Sequence, residues 1–157
     1  QDYEVEVPVT VRGFGSEYQT PQSGNKTLVG LGLRWNGHTP RGDELPPFEY
    51  WYPTGAFAWY EWSKSPGWDL FGNGGSPKDG SSAPAPAIGE TYMFKARVET
   101  VPGGTRYDFK AWEQGTAEPG NWQQSILEDA GPTSGSVLLI AHHMDVEFGS
   151  VNVLPLD

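Results

Sequence analysis

The stretch from Glu90 to Glu113, ETYMFKARVETVPGGTRYDFKAWE, decides the fold. Tyr92, Phe94, Ala96 and Val98 alternate with Met93, Lys95, Arg97 and Glu99. A period of two places the apolar set on one face of a strand and the polar set on the other. Pro102-Gly103-Gly104 is a turn signal. Beyond it Tyr107, Phe109 and Ala111 alternate with Asp108, Lys110 and Trp112, so the chain returns as a second strand of the same kind.

Outward from this pair the same period recurs. Tyr3, Val5, Val7, Val9 and Val11 face one way and Glu4, Glu6, Pro8, Thr10 and Arg12 the other. In Thr27–Trp35, Val29, Leu31, Leu33 and Trp35 are expected inward, opposite Leu28, Gly30, Gly32 and Arg34. Phe48–Tyr52 and Ala56–Trp62 read as aromatic strands joined at Pro53-Thr54-Gly55, and Gly72 to Gly89 as a long loop without periodicity. Ser136–His143 is a nearly continuous apolar run, as expected of a strand covered on both faces. Met144–Phe148 and Ser150–Leu154 complete the pattern. No helical period of useful length occurs. The expectation is an all-β antiparallel β-sandwich, a jelly roll of about ten strands with little or no helix. Residues 1–157 are read as one domain cut from a larger protein.

Composition narrows the function. The 157 residues include no Cys, which excludes thiol catalysis, disulfides and thiolate metal sites. Twenty acidic against ten basic residues give a net charge of −10, which argues against nucleic acid or an anionic membrane as partner. Seven Trp, seven Tyr and seven Phe are a large aromatic supply for such a chain.

Several runs of the second half form a known pattern: Tyr92-x-Phe94-x-Ala96-x-Val98, Phe109-Lys110-Ala111-Trp112, Ala117-Glu118-Pro119-Gly120-Asn121-Trp122, Gly135-Ser136-Val137-x-Leu139 and Phe148-x-x-Val151-x-Val153. Gly32-Leu33-Arg34-Trp35 adds a weaker N-terminal signature. Together they resemble the concanavalin A-like, laminin G-like jelly rolls of bacterial polysaccharide-binding and polysaccharide-degrading proteins. The resemblance implies that fold, a secreted or cell-surface location and a place beside a catalytic domain. It also implies that Glu118-Pro119 stops a strand and that Trp122 seals the sandwich edge. Where many relatives carry Phe-Asp-Asn-Val, this chain has Phe148-Gly149-Ser150-Val151, without the carboxylate.

The densest chemical feature is Tyr50-Trp51-Tyr52, Trp59-Tyr60, Trp62 and Trp68. Sugar rings stack their CH faces on indole and phenol, and their hydroxyls need polar partners beside the ring. By alternation Tyr60 and Trp62 share a face opposite Phe57, Trp59 and Glu61, so both faces of this strand are aromatic although a sandwich strand has one core face. Trp51, Trp59, Trp62, Trp68 and Trp112 are therefore surface candidates, whereas Trp35 and Trp122 read as architectural. Arg34, on the face of Gly30 and Gly32, would project into a shallow trough or pair with an acid. Glu61 beside Trp62 and Glu113 beside Trp112 could accept from hydroxyls or act as general acid. His142 and His143, as strand neighbours, should point to opposite faces and not chelate one ion. His142 is kept as a groove residue. Asp145 and Glu147 share a face, but without a third carboxylate they do not match the laminarinase-type signature. Asp2, Asn152 and Asp157 could supply oxygens to a structural calcium, with no site assigned.

The reading that follows is a non-catalytic carbohydrate-binding module for a neutral polysaccharide. Its binding residues would be Arg34, Trp51, Trp59, Glu61, Trp62, Trp68, Trp112 and His142, with no catalytic residue. A small glycoside hydrolase or polysaccharide lyase on the same fold is the alternative, and a structural or interaction domain without glycan the third.

Overall fold

The computed structural model of the chain describes residues 1–15, 27–36, 55–62, 66–72, 82–129 and 131–156. Among them are ten strands and no helix: β1 (Tyr3–Phe14), β2 (Leu28–Trp35), β3 (Ala56–Glu61), β4 (Gly67–Gly72), β5 (Thr91–Val101), β6 (Gly104–Glu113), β7 (Gln124–Glu128), β8 (Ser136–His142), β9 (Met144–Phe148) and β10 (Asn152–Pro155). A six-stranded sheet runs β10-β1-β5-β6-β7, with β9 also on β1, and a four-stranded sheet runs β4-β3-β2-β8. Every pairing is antiparallel. The two sheets pack into a β-sandwich whose core draws on both.

Alternation does the sorting. Val5, Val7 and Val9 of β1, Phe94, Ala96 and Val98 of β5, and Tyr107, Phe109 and Ala111 of β6 are buried from one side. Val29, Leu31 and Leu33 of β2, Ala58 and Tyr60 of β3, and Leu70 of β4 meet them from the other. Trp68 is corrected here: it lies in this core and not at the surface. Its ring is 5.0 Å from Phe109, 5.1 Å from Phe94 and 5.3 Å from Tyr60. Its indole N–H donates to the Pro84 carbonyl at 3.0 Å, which satisfies the one polar atom that burial would otherwise penalise. The signal was legible: Trp68, Leu70 and Gly72 alternate, but the strand is short and bounded by glycine. Gln124–Glu128, also without a strand expectation, forms the edge strand β7.

Arg34 departs from its expected face for a local reason. Its φ is 52°, in the left-handed region, and the β2–β8 register shifts between Gly32 and Trp35. The alternation is broken there, and the guanidinium enters the end of the sandwich instead of a trough. One Nη donates to Asp2 Oδ1 (2.7 Å) and Thr100 Oγ1 (3.2 Å), the other to Thr105 Oγ1 (3.0 Å) and the Pro132 carbonyl (2.9 Å). The Arg34 amide donates to the Tyr3 hydroxyl at 3.0 Å. A Cβ at Gly135 would overlap the Arg34 backbone, so the glycine lets β8 start against this bulge. Asp2, earlier a calcium-ligand candidate, spends both carboxylate oxygens on Arg34 and on the Thr100 amide and hydroxyl. Asp157 lies outside the described residues.

The run Ser136–His142 is also corrected. It is the edge strand of the four-stranded sheet, half-exposed along its length, and not a strand covered on both faces.

Burial would raise the Asp2 carboxyl, but the Thr100 hydrogen bonds and the charges of Arg34 and the amino terminus outweigh it and hold the group below its usual 3.8. A lowered folded-state value stabilises above the unfolded value and is lost as pH falls through the folded one. Asp2→Asn should therefore flatten the fall in Tm on acidification below about pH 4. Arg34→Met should cost about 3 kcal/mol in urea unfolding, the lower end for a broken buried pair because the Asp2 side chain keeps 25% exposure. Trp68→Ala should cost about 3–5 kcal/mol in the same assay; a loss under about 1 kcal/mol in either would contradict the packing described.

Candidate functional site

The face of the four-stranded sheet turned away from the core carries a second apolar cluster. Registers across β8, β2, β3 and β4 set three rows of side chains. The first row is His142, Leu28, Glu61 and Gly67. The second is Ile140, Gly30, Trp59 and Asp69, and the third Leu138, Gly32, Phe57 and Phe71. Leu28, Phe57 and Trp59 are buried, with Phe71, Leu138 and Ile140 packed on them.

Glycine in the β2 column makes room for the rings. A Cβ at Gly30 would overlap Trp59 and the Ala58 carbonyl, and one at Gly32 would stand 3.1 Å from the Phe57 ring and from Leu138. The Phe57 ring occupies the space over Gly32, and the backbone and Cβ of Trp59 press on Gly30, so Arg34 finds no trough there. Trp59 stands edge-on to Phe71 with centroids 4.6 Å apart, and Phe57 lies 5.4 Å from Trp59 and 5.6 Å from Phe71. The Trp59 indole N–H is buried and has no hydrogen-bond acceptor among the described residues. Buried donors are rarely left so, because the unmade bond costs about 1–3 kcal/mol. At the polar end, Glu61 and Asp69 are partly exposed and His142 is exposed. The rings themselves are closed off, with Trp59 6% and Phe57 2% exposed, so what meets solvent is the polar end: two carboxylates and an imidazole beside a buried aromatic cluster.

Of the expected site residues, the structure gathers Trp59, Glu61 and His142 on this face. Trp62 is elsewhere: it packs on the core side against Tyr60 at 4.5 Å and edge-on to Phe14 at 6.3 Å. Arg34 and Trp68 are interior, as described. Trp51 lies outside the described residues. Trp112 is 93% buried, at 7% exposure, and sits on the outer face of the other sheet opposite Met93. Asp69, Phe57 and Phe71 belong to the face without having been singled out. Asp69 needed the strand assignment of β4, which fixes it opposite Trp59.

Neighbouring histidines were expected to diverge. Their ring centroids are instead 4.0 Å apart, because His143 has φ 57° and ends the alternation after β8. Among the described residues no group of three His, Asp or Glu is placed to hold a metal ion.

The outer face of the six-stranded sheet is ionic. Lys95, Arg97 and Lys110 lie there, each matched by acid: Lys95 by Glu118 (3.0 Å), Glu6 (3.5 Å) and Glu4 (3.7 Å), Arg97 by Asp108 (2.8 Å), and Lys110 by Glu118 (2.7 Å). Trp122 covers this ladder, 4.7 Å from Lys110 Nζ and 5.0 Å from the Arg97 guanidinium. Thus the segment Glu118–Trp122 lies across a charged sheet face, and Trp122 caps cations there instead of sealing an edge. The Lys110 hydrogen bond, with help from Lys95, holds the Glu118 carboxyl below its usual 4.5.

No family model, no curated protein and no solved structure matches the chain.

Trp59→Phe removes the unpaired N–H while keeping a ring. Its unfolding free energy should fall by no more than about 1–2 kcal/mol, less than a Trp truncation, since an unsatisfied donor is lost with the volume. A larger loss in urea unfolding would mean that the indole N–H has an acceptor.

Proposed function

We propose that this chain is a non-catalytic carbohydrate-binding module that holds a neutral polysaccharide on the outer face of the four-stranded sheet. The supporting observation is the row Gly30–Trp59–Asp69: a Trp close against a glycine, its N–H without an acceptor among the described residues, and a carboxylate directly across. A sugar hydroxyl donates to Asp69 or Glu61 at the exposed end, and would reach the Trp59 N–H, buried in the free chain, only with a local opening of the cluster. The net charge of −10 disfavours sulfated and uronic glycans, and the cationic cluster that could have reversed this is matched by carboxylates. The resemblance to laminin G-like jelly rolls supports a setting in a secreted polysaccharide-degrading protein, with this chain as its binding part.

A second reading rests on one further observation. Glu61 pairs with Gly67 and Asp69 with Trp59, so the two carboxylates are diagonal neighbours on one face. Diagonal positions are about 7–8 Å apart at the backbone, a spacing that lets two side chains bring their carboxyl groups to the roughly 6.5–9.5 Å of an inverting glycosidase pair. Release of reducing ends that stops in Glu61→Gln would favour a hydrolase over a module.

Affinity electrophoresis against neutral and uronic polysaccharides tests the proposal. Retardation by at least one neutral glycan is expected, with Trp59→Ala weakening it by about tenfold or more, a typical effect of removing an aromatic anchor. Glu61→Gln and Asp69→Asn should weaken it less, and Trp122→Ala should leave it unchanged. A mobility unaffected by every glycan, or lost in Trp122→Ala instead, would sink the reading.

A further inference from the structure

The side of the sandwich where β8 and β10 form the two sheet edges is open. Val153 faces Val5 across the β10–β1 pair, and Leu139 faces Leu31 across β8–β2, so both point to the core side. Yet Val153 is 49% exposed and Leu139 36%. An open cleft of about 450 Å³ lies at this mouth, lined by Tyr3, Val137, Val151, Val153 and Pro155 among others. Among the described residues β10 pairs with β1 alone, which leaves its second edge without a strand. Edge strands are ordinarily blunted by shortness, by charge, by proline or by a covering element. Asn152–Pro155 carries no charge, but it is four residues long, and because Leu156 N–H turns back to Asp2 its outward backbone positions are Val153 and Pro155, so Val153 is the one residue of β10 that presents an N–H outward.

On the opposite side of the same edge the chemistry is acidic. A second cleft, of about 470 Å³, is lined by Glu4, Glu6 and Lys95 together with Val151, Asn152, Val153 and Leu154. The single lysine there is shared with Glu118. A strand laid beside β10 would thus have an apolar mouth under one face and two carboxylates within reach of long side chains on the other, one strand spacing of about 4.8 Å further in.

We propose that the outer edge of β10 accepts an extended peptide segment in which apolar residues alternate with lysine or arginine. Main-chain hydrogen bonds to β10 would give affinity and the alternate side chains specificity. The apolar set would cover Val137, Leu139, Val151 and Val153, and the cations would approach Glu4 and Glu6. A second copy of this chain fits less well, since it would bring the same carboxylates and another −10 of charge to the contact. The site is separate from the glycan-binding face, which lies on the outer side of the other sheet, and stands whether or not that reading does.

The test uses fluorescein-labelled eight-residue peptides and anisotropy with the 157-residue chain. One probe alternates valine and lysine, a second valine and glutamate, and a third is the lysine probe with two central prolines. The lysine probe should bind at least tenfold tighter than the other two. Val153→Lys, a change at an exposed position checked by circular dichroism, should weaken it at least tenfold. Glu4→Gln with Glu6→Gln should erase the preference for lysine over glutamate while leaving residual binding. Equal binding of the proline probe would reduce the effect to charge attraction and overturn the proposal. So would absence of binding up to about 1 mM, or a concentration-dependent dimer in sedimentation that the lysine probe does not dissociate.

Discussion

A strand in a two-layer sandwich has one face for the core, and β3 and β4 carry aromatic side chains on both. Tyr60 and Trp68 answer the demand of the interior. Phe57, Trp59 and Phe71 are then left on the outer side, where they require cover of their own. Gly32 of β2 follows from the same constraint, because the Phe57 ring can lie across that strand only where it has no side chain. The glycan site proposed on the outer face depends on this surplus of aromatic side chains.

The second organising contact is Arg34. A buried guanidinium is costly unless its donors are met, and here both Nη groups reach partners, Asp2, Thr100, Thr105 and the Pro132 carbonyl, while Nε has no acceptor among the described residues. These partners belong to the six-stranded sheet and its connections, whereas Arg34 belongs to the other, so one side chain ties the layers together at one end. The tie needs a left-handed backbone at Arg34 and a glycine at 135. Nearby, burial pushes the Tyr107 hydroxyl up to about 12, with the Arg34 charge opposing it. Gly55 gives that hydroxyl its space, for a Cβ there would overlap it.

Alternation made most of the sandwich legible from the residues. The inward sets of Tyr3–Val11, Tyr92–Val98 and Tyr107–Ala111 are the core found in the structure. The pattern failed where the backbone left the extended region, at Arg34 and at His143, since period two says nothing about a positive φ. In the six-residue β4 the alternation of Trp68, Leu70 and Gly72 is present but too brief to stand out, as in the five-residue β7, and this misplaced Trp68 and hid Asp69. The apolar run of Ser136–His142 misled in another way: hydrophobicity alone does not tell a covered strand from an edge with a wet apolar side. For the site, the surplus of rings on Ala56–Trp62 pointed to Trp59 and Glu61. Their grouping with Asp69 and His142 required registers that no single strand contains.

The two outer faces of the sandwich are chemically unlike. One is a ladder of matched charges under Trp122, and the other is aromatic with a polar end. The central claim is that the second face, through Trp59, meets sugar. Indole ¹H–¹⁵N resonances report on each Trp separately, so titration with a neutral oligosaccharide that retards the protein tests it most directly. The Trp59 indole cross-peak should move on saturation while that of Trp68, held by the Pro84 carbonyl in the core, stays in place. An unmoved Trp59 with shifts at Trp112 or Trp122 would contradict the account.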